Sequence, residues 1–233
     1  MKIIKNETLI KRNSRIGQWI SIAAFIVLGT GMYLSFSFQT NPQMFTYSLI
    51  ALVTGFVLTQ IGMYMGNRWG RSPRPDEQLD AALKGLPGDY TIYHFTAPAS
   101  HLLIGPAGVW VLLPYRQRGV VTYNKNRWRV GNGGFLQAYM SIFGQEGIGR
   151  PDLEAENEIN AVKNLLAKNL SEGEVPPVQA ALIFTNESVD IQADGAPLPA
   201  VKIKQFKDFM RQKAKEKTIS STQLAAVKAA LPQ

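Results

Sequence analysis

Residues 101–119 read HLLIGPAGVWVLLPYRQRG, and this stretch decides the fold of the C-terminal part of the chain. Two apolar runs flank Gly105-Pro106-Ala107-Gly108, where Pro fits the second position of a tight turn and Gly the fourth. The pattern predicts a β-hairpin in which both strands are largely buried. The second strand ends at Leu112-Leu113-Pro114-Tyr115, and it carries no catalytic group at a place where such groups are common.

Helices and strands alternate on both sides of this hairpin. Apolar residues at helical spacing predict helices over 77–86, 153–170, 204–217 and 222–231, the last with Ser221 as a candidate cap. Apolar runs bounded by turn residues predict strands over 90–95, 119–123, 127–130, 178–184 and 200–203. This order predicts an α/β or α+β domain over 77–233, with a mixed sheet flanked by helices.

The N-terminal part of the chain is far more apolar. No Asp, Glu, Lys, Arg or His lies between Arg15 and Arg68, and two apolar runs, at 18–38 and 44–65, fill this gap. Each run has about the 20 residues that a helix needs to cross a bilayer. A signal peptide would be shorter and would end in a cleavage site, and a core helix would show a polar face. The two runs therefore predict a transmembrane helical hairpin over 16–67.

Charges beside the two runs predict the orientation of this hairpin. The loop between the runs is uncharged, whereas the outer flanks carry Lys2, Lys5, Lys11, Arg12, Arg15, Arg68, Arg71 and Arg74. The positive-inside rule then places both termini in the cytoplasm of a cell-membrane protein with two spans. Residues 1–15 are predicted to be a basic cytoplasmic segment and residues 68–76 a linker.

Most of the formal net charge of +8 belongs to this membrane-flanking part of the chain. Residues 1–74 contain eight basic residues and one acidic residue, which leaves a net charge of +1 for the remainder. That remainder has a basic cluster with an aromatic residue: Arg116, Arg118, Lys125, Arg127, Trp128 and Arg129. The cluster could contact nucleic acid or lipid, although a solvated strand with an inward Trp is the more common structure.

Small residues recur on one face of each apolar run. They are Gly17, Ser21, Ala24, Gly31 and Ser35 in the first run and Ala51, Gly55, Gly62 and Gly66 in the second. Small side chains allow helices to approach closely, so we predict that these faces pack the hairpin on itself or on a partner span. Neither run contains an ionisable residue, which favours an anchor or assembly role over a proton pathway.

Several stretches of the C-terminal part resemble the nuclease-related (NERD) domain, a relative of restriction-endonuclease-like folds. The resemblance covers about residues 75–215 and is carried by Glu77, LPGDYTIYHF at 86–95, SHLLIGPAGVWVLLPYRQRG at 100–119, RPDL at 150–153 and ALIFTN at 181–186. The family pattern in the hairpin runs from Asp-His through Gly-Pro-x-Gly to Glu-x-Lys. The resemblance implies a restriction-endonuclease-like mixed sheet after the membrane hairpin.

The same resemblance implies that this chain lacks the family's catalytic groups. Ser100 stands at the position of the metal-binding Asp, Leu113 at that of the Glu and Tyr115 at that of the Lys, while Glu77 matches an upstream acidic residue. Mg²⁺ needs oxygen ligands such as carboxylates, and Leu supplies none. We therefore expect neither a metal nor a cofactor, and a catalytically inactive domain that serves as a structural or accessory subunit of a membrane complex. The alternative hypothesis is a membrane-tethered, metal-dependent nuclease or nucleic-acid-binding protein.

A relocated site is a further possibility that the sequence offers. Glu77, Asp89, His101, Arg116 and Arg118 could form it in principle, but no second carboxylate stands at a convincing spacing. We interpret the two histidines, at positions 94 and 101, as structural imidazoles. The uncharged stretch 135–143 is predicted to pack in the core, with contact to a bilayer or a partner as the alternative.

Overall fold

The computed structural model describes residues 1–37, 41–131, 147–170, 175–216 and 219–231. The chain divides into two compact units. Residues 6–74 form a helical hairpin, and Met1–Lys5 joins the chain from Pro75 onward in an α/β unit. The α/β unit thus differs from the predicted domain 77–233, because it includes an N-terminal strand and begins its second part at Pro75.

The hairpin unit consists of α1 (Glu7–Phe36), α2 (Gln43–Met65) and a π-helical turn at Gly66–Gly70. At 1.5 Å per residue the two helices are roughly 45 and 35 Å long, and a bilayer's hydrocarbon core is about 30 Å thick. Both helices are long and apolar enough to span a membrane. Helix α1 starts well before the apolar run, because the side chain of Asn6 caps it by accepting the N–H of Leu9 at 2.9 Å.

The contact between α1 and α2 repeats every seven residues. The buried residues are Ile10, Gly17, Ala24 and Gly31 on α1, and Ser48, Gly55 and Gly62 on α2. A seven-residue repeat keeps successive contacts on one side of each helix, as in a coiled coil. Because nearly all of these residues are small, the two backbones approach closely.

The outer surface of the hairpin unit is apolar. Large exposed side chains include Trp19, Phe25, Ile26, Tyr33, Phe36, Phe45, Ile50 and Val53. Only 11% of the most apolar window of each helix is buried. Neither helix is therefore the core helix of a soluble fold within the described residues.

The α/β unit contains a six-stranded mixed sheet. Its strands lie in the order β1 (Lys2–Lys5), β2 (Thr91–His94), β3 (His101–Gly105), β4 (Gly108–Tyr115), β7 (Val178–Phe184) and β9 (Ala200–Lys202). Strands β2, β3 and β4 are antiparallel, whereas β1 pairs with β2, β7 with β4 and β9 with β7 in parallel.

Among the described residues, a smaller sheet of three strands and four helices complete the unit. The small sheet has the order β6-β5-β8, with strands β5 (Gly119–Asn124), β6 (Arg127–Gly131) and β8 (Val189–Gln192). The helices are α3 (Pro75–Leu83), α4 (Pro151–Asn169), α5 (Ile203–Lys215) and α6 (Ser221–Ala229). Ser220 rather than Ser221 caps α6, in a capping box with Gln223.

Strands β3 and β4 form the hairpin that residues 101–119 predict. Gly105 pairs with Gly108 across the turn, and Gly108 has a positive φ of 102°. A Cβ on Gly105 would lie 2.2 Å from Cδ1 of Tyr90, so no larger residue fits there without a shift. The turn is closed further by Trp110, whose Nε1 donates to the carbonyl of Ala107 at 2.8 Å.

The main sheet is covered on both faces, which explains its continuous apolar strands. In β4, Val109, Val111 and Leu113 face a core shared with α4, α6 and the small sheet. The alternate residues Trp110 and Leu112 face a second core shared with α3 and α5. The mixed sheet flanked by helices agrees with the fold class expected from the sequence. The segment 135–143 lies outside the described residues.

Candidate functional site

Ser100, which the sequence resemblance aligns with a metal-binding Asp, is hydrogen-bonded to a carboxylate. It precedes β3, and its hydroxyl donates to Oε1 of Glu158 at 2.8 Å. Its backbone N–H lies 3.3 Å from the second oxygen, Oε2, of the same carboxylate. Both oxygens of Glu158, a residue of α4, therefore accept hydrogen bonds from one serine.

Tyr115, which the sequence resemblance aligns with a Lys, makes a similar contact one turn earlier on α4. Its phenol donates to Oε2 of Glu154 at 2.7 Å. Burial raises the pKa of the Tyr115 phenol far above its ordinary value, and the negative charge and hydrogen bond of Glu154 raise it further. The phenol is therefore a stable, neutral donor at physiological pH.

Leu113 and Glu77 are not arranged as metal ligands. Leu113 is 2% exposed and belongs to the core on the α4 face of the sheet. Glu77 lies in the first turn of α3 and is half-buried. Among the described residues, no three His, Asp or Glu side chains converge in a way that could hold a metal ion. This includes the relocated set with Asp89 and His101.

A buried histidine pair connects β2 to β3. The Nδ1 atoms of His94 and His101 lie 2.7 Å apart, and Nε2 of His94 lies 3.0 Å from Oδ1 of Asp80 on α3. A carboxylate only accepts, so His94 carries a proton on Nε2, and in the neutral pair its Nδ1 accepts from Nδ1–H of His101. The adjoining Phe95 has a positive φ of 58°, a strained conformation for a bulky residue.

The histidine pair continues into a buried ion cluster. The ammonium of Lys5, at the end of β1, lies 3.2 Å from Oδ2 of Asp76 and also pairs with Oδ2 of Asp80. The side chain of Asp76 is fully buried, and those of Lys5 and Asp80 are 20% and 15% exposed. Burial lowers the pKa of Lys5, but the hydrogen bonds and charges of Asp80 and Asp76 outweigh it and raise the pKa above its ordinary value. Lys5, Asp76, Asp80, His94 and His101 thus join β1, α3, β2 and β3.

The acidic residues that pair with Lys5 and His94, and those that accept hydrogen bonds from Ser100 and Tyr115, were not predicted from the sequence. Asp76 and Asp80 on α3, and Glu154 and Glu158 on α4, are each spaced by four residues. This spacing places both members of a pair on the same side of a helix, which is the signal that was available. The sequence of each helix does not indicate which strand this side of the helix packs against.

The basic cluster splits between the two faces of the small sheet. Arg127 and Arg129 are exposed on β6, and Arg118 and Lys125 are exposed next to it, while Arg116 is half-buried. Trp128 points the other way: it is 5% exposed and packs in the core, with its ring centroid 5.2 Å from that of Tyr123. Its indole is therefore not available for stacking on a base.

Some of the small residues of the hairpin unit lie between the two helices, and others do not. A Cβ on Gly55 would lie 2.6 Å from Cγ of Leu28, and one on Gly62 would lie 2.5 Å from Oγ of Ser21. A Cβ on Gly31 would lie 3.1 Å from the Cβ of Ala51. By contrast, a Cβ on Gly66 would meet no atom within 4 Å.

Ser48 also belongs to this helix contact, although its role was not recognised in the sequence. Its buried hydroxyl donates to the carbonyl of Gly31 on the facing helix at 2.8 Å. Ser48 lies seven residues before Gly55, so a search for a seven-residue repeat would have found it.

Comparisons with protein-family models, with characterised proteins and with solved structures find no match to this chain.

Proposed function

We propose that this chain is a membrane-anchored, catalytically inactive NERD-like protein that serves as a structural or accessory subunit of a membrane complex. The observation that carries the proposal is the contact of Ser100 and Tyr115 with Glu158 and Glu154. Where the family pattern has an Asp and a Lys, two hydroxyls donate to carboxylates from α4. The third position is a core leucine, Leu113.

These contacts support an inactive domain on chemical grounds. Metal-dependent phosphodiester cleavage needs carboxylates at the metal and a group that stabilises the developing negative charge. A neutral phenol with a raised pKa carries no positive charge, and Leu113 has no ligand atom. The mixed sheet flanked by helices is compatible with the restriction-endonuclease-like fold that the resemblance implies.

The membrane anchor is supported by the hairpin unit itself. Its helices are long enough to span a bilayer, and their outer surface is apolar. Such a surface is unfavourable in water and favourable in lipid. Burial of small residues between the helices leaves the large apolar side chains outside, as in membrane helix pairs.

Chain connectivity and charge support cytoplasmic termini. The α/β unit contains the residues directly before and directly after the hairpin unit, so both connections start on the same side of any membrane that the hairpin crosses. Arg12, Arg15, Arg68 and Arg71 flank the two apolar runs, as the positive-inside rule requires of a cytoplasmic side. Lys5 contributes less to this charge asymmetry, since it is paired within the α/β unit.

The catalytic part of the proposal is tested with the full chain in lipid nanodiscs. We expect no Mg²⁺- or Mn²⁺-dependent cleavage of single- or double-stranded nucleic acid. The matched control is Glu77→Ala, which should leave this absence of cleavage unchanged. Metal-dependent cleavage by the unmodified chain, lost in Glu77→Ala, would establish the tethered nuclease instead.

The anchor is tested by single-cysteine labelling, for which the chain is suited because it contains no cysteine. Gln43→Cys, at the start of α2, should react with a membrane-impermeant maleimide in intact cells. Asn124→Cys, exposed at the end of β5, should react only after permeabilisation. Equal reactivity of the two variants in intact cells would contradict the two-span topology.

A further inference from the structure

Strands β5 and β6 form a rigid ribbon. They are paired over five positions, from Val120 with Gly131 to Asn124 with Arg127. The turn between them consists of Lys125 and Asn126, with positive φ values of 50° and 56°. Positive φ at both central residues defines the type I′ turn, whose twist matches that of the flanking strands. We call residues 118–131 the cationic ribbon.

The ribbon separates charge from apolar surface. Trp128 and Val121 face the core, whereas Arg127 and Arg129 face solvent on the opposite side of the ribbon. Residues two apart on a strand are about 6.7 Å apart on the same face. Lys125 in the turn and Arg118 before β5 are also exposed. The exposed part of the ribbon therefore presents four cations.

The four exposed cations of the ribbon have no acidic partner among the described residues. In the described part of the chain, the side chains of Arg118, Lys125, Arg127 and Arg129 make no ion pair or hydrogen bond. Two exposed cations of α5 are paired, by contrast: Lys204 with Glu187 at 2.8 Å and Arg211 with Asp208 at 3.1 Å. No acidic side chain of the described residues neutralises the four cations of the ribbon, so their charge can attract an anionic partner.

We propose that the cationic ribbon binds the anionic headgroups of the membrane that holds the hairpin unit. This inference rests on the proposed function, because it uses the membrane anchor. Each exposed Lys or Arg near an anionic surface adds a modest attraction. Four such contacts are weak against the entropy lost by a free partner, but a tethered domain meets the lipid at high effective concentration.

Two observations favour lipid over nucleic acid as the occupant. Single strands are held by aromatic side chains as well as cations, and the ribbon's Trp128 is buried. The chain after residue 74 has a net charge of only +1, so it lacks the broad positive field that recruits a polyanion from solution. The positive charge is confined to the ribbon, which suits binding to a surface that the membrane tether keeps at high effective concentration.

The test uses the full chain with Asn124→Cys, labelled with an environment-sensitive fluorophore on the exposed face of the ribbon. The chain is reconstituted into vesicles of phosphatidylcholine, with or without 30 mol% phosphatidylglycerol, that contain a headgroup quencher. We expect quenching only with phosphatidylglycerol at low salt. Loss of each cation should lower the ratio of bound to free ribbon about fivefold, so that Arg127→Gln with Arg129→Gln lowers it about 25-fold.

The matched control removes two exposed but paired cations, in Lys204→Gln with Arg211→Gln, and should leave the quenching unchanged. Equal loss in both double variants, or quenching that ignores lipid charge, would overturn the inference. Release of the probe by duplex DNA at equal anion concentration would assign the ribbon to nucleic acid instead.

Alkaline carbonate extraction of the same vesicles separates this inference from the proposed anchor. A chain that resists extraction but shows no lipid-dependent quenching disproves lipid binding by the ribbon and leaves the anchor intact. A chain that is extracted disproves the anchor, and the inference with it.

Discussion

Replacing Lys5 with Met should destabilise the α/β unit more than any exposed substitution on the same strand. The change removes the ammonium that pairs with Asp76 and Asp80 and leaves two carboxylates side by side, one of them fully buried. Removing one partner of a buried ion pair costs about 3–5 kcal/mol. Because Lys5 and Asp80 retain some exposure, we take the lower end, about 3 kcal/mol.

This loss is large enough to measure as a melting temperature. In a unit of this size each kcal/mol lowers Tm by about 2–4 °C, so Lys5→Met should lower it by about 6–12 °C. Thermal unfolding of the full chain in detergent, followed by tryptophan fluorescence, to which the buried Trp110 and Trp128 contribute, gives this value. Amide hydrogen exchange should show the earliest loss of protection in β1 and β2, which Lys5 holds to α3.

Two further variants isolate the ionic contribution. Lys2→Met removes an exposed cation from the same strand and should change the free energy of unfolding by less than about 0.5 kcal/mol. Lys5→Met combined with Asp76→Asn and Asp80→Asn removes all three charges and should recover part of the lost stability. If Lys5→Met and Lys2→Met have the same Tm, the ion cluster does not hold β1 in place. The same conclusion follows if the triple variant is no more stable than Lys5→Met alone.

Three other predictions follow from the contacts. Gly55→Leu and Gly62→Leu should abolish cross-linking between cysteines placed at Ser14 and Gly70, because the added side chains would collide with the facing helix. The control Gly29→Leu should not, because a side chain at that position meets open space. Unchanged cross-linking in all three variants would contradict the small-residue contact. The pKa of Tyr115 is raised in the folded state, so its contribution to stability is complete below about pH 10 and is lost as the pH rises further. Urea unfolding between pH 7 and 11 should therefore show a flatter alkaline limb for Tyr115→Phe, and identical limbs would contradict a raised pKa of the Tyr115 phenol in the folded state. The triple variant Ser100→Asp, Leu113→Glu, Tyr115→Lys should be less stable than the natural chain, because one new carboxylate lies beside Glu158 and the other lies in the apolar core. Mn²⁺ should raise its Tm, because a bound cation offsets the negative charge of the new Asp and Glu. A Tm independent of Mn²⁺ would show that no metal site forms.

The sequence predicted those elements whose pattern is local. Strand β7 has the predicted bounds, because it is a continuous apolar run between turn residues. The hairpin of β3 and β4 follows from two apolar runs around a Gly-Pro-Ala-Gly turn. Strand β1 was missed because Lys-Ile-Ile-Lys has only two apolar residues. It is a strand because it pairs with β2, almost 90 residues away in the sequence.

For the candidate site as well, the residue types could be read from the sequence, whereas their contacts could not. The sequence itself shows Ser, Leu and Tyr at positions 100, 113 and 115, and that these residues replace catalytic groups stays a prediction from the resemblance. What those residues contact could not be deduced, since Glu154 and Glu158 lie on α4, which is separated from β4 in the sequence by a segment that includes β5 and β6. Lys5 is a sharper case: by sequence it is one more basic residue before a membrane helix, and in the structure it pairs with two carboxylates.

The order of the chain explains why an ion cluster stands at β1. The hairpin unit is inserted between the first strand of the α/β unit and its first helix, so Lys5 directly precedes the insertion and Asp76 follows it by two residues. Closing a flexible loop of this length would cost about 4 kcal/mol. A paired hairpin avoids most of that cost, because its ends already meet where a Cβ on Gly17 would lie 2.8 Å from the Cβ of Met65. What remains is to hold a four-residue edge strand in register, and the pairing of Lys5 with Asp76 and Asp80 does so from within the fold.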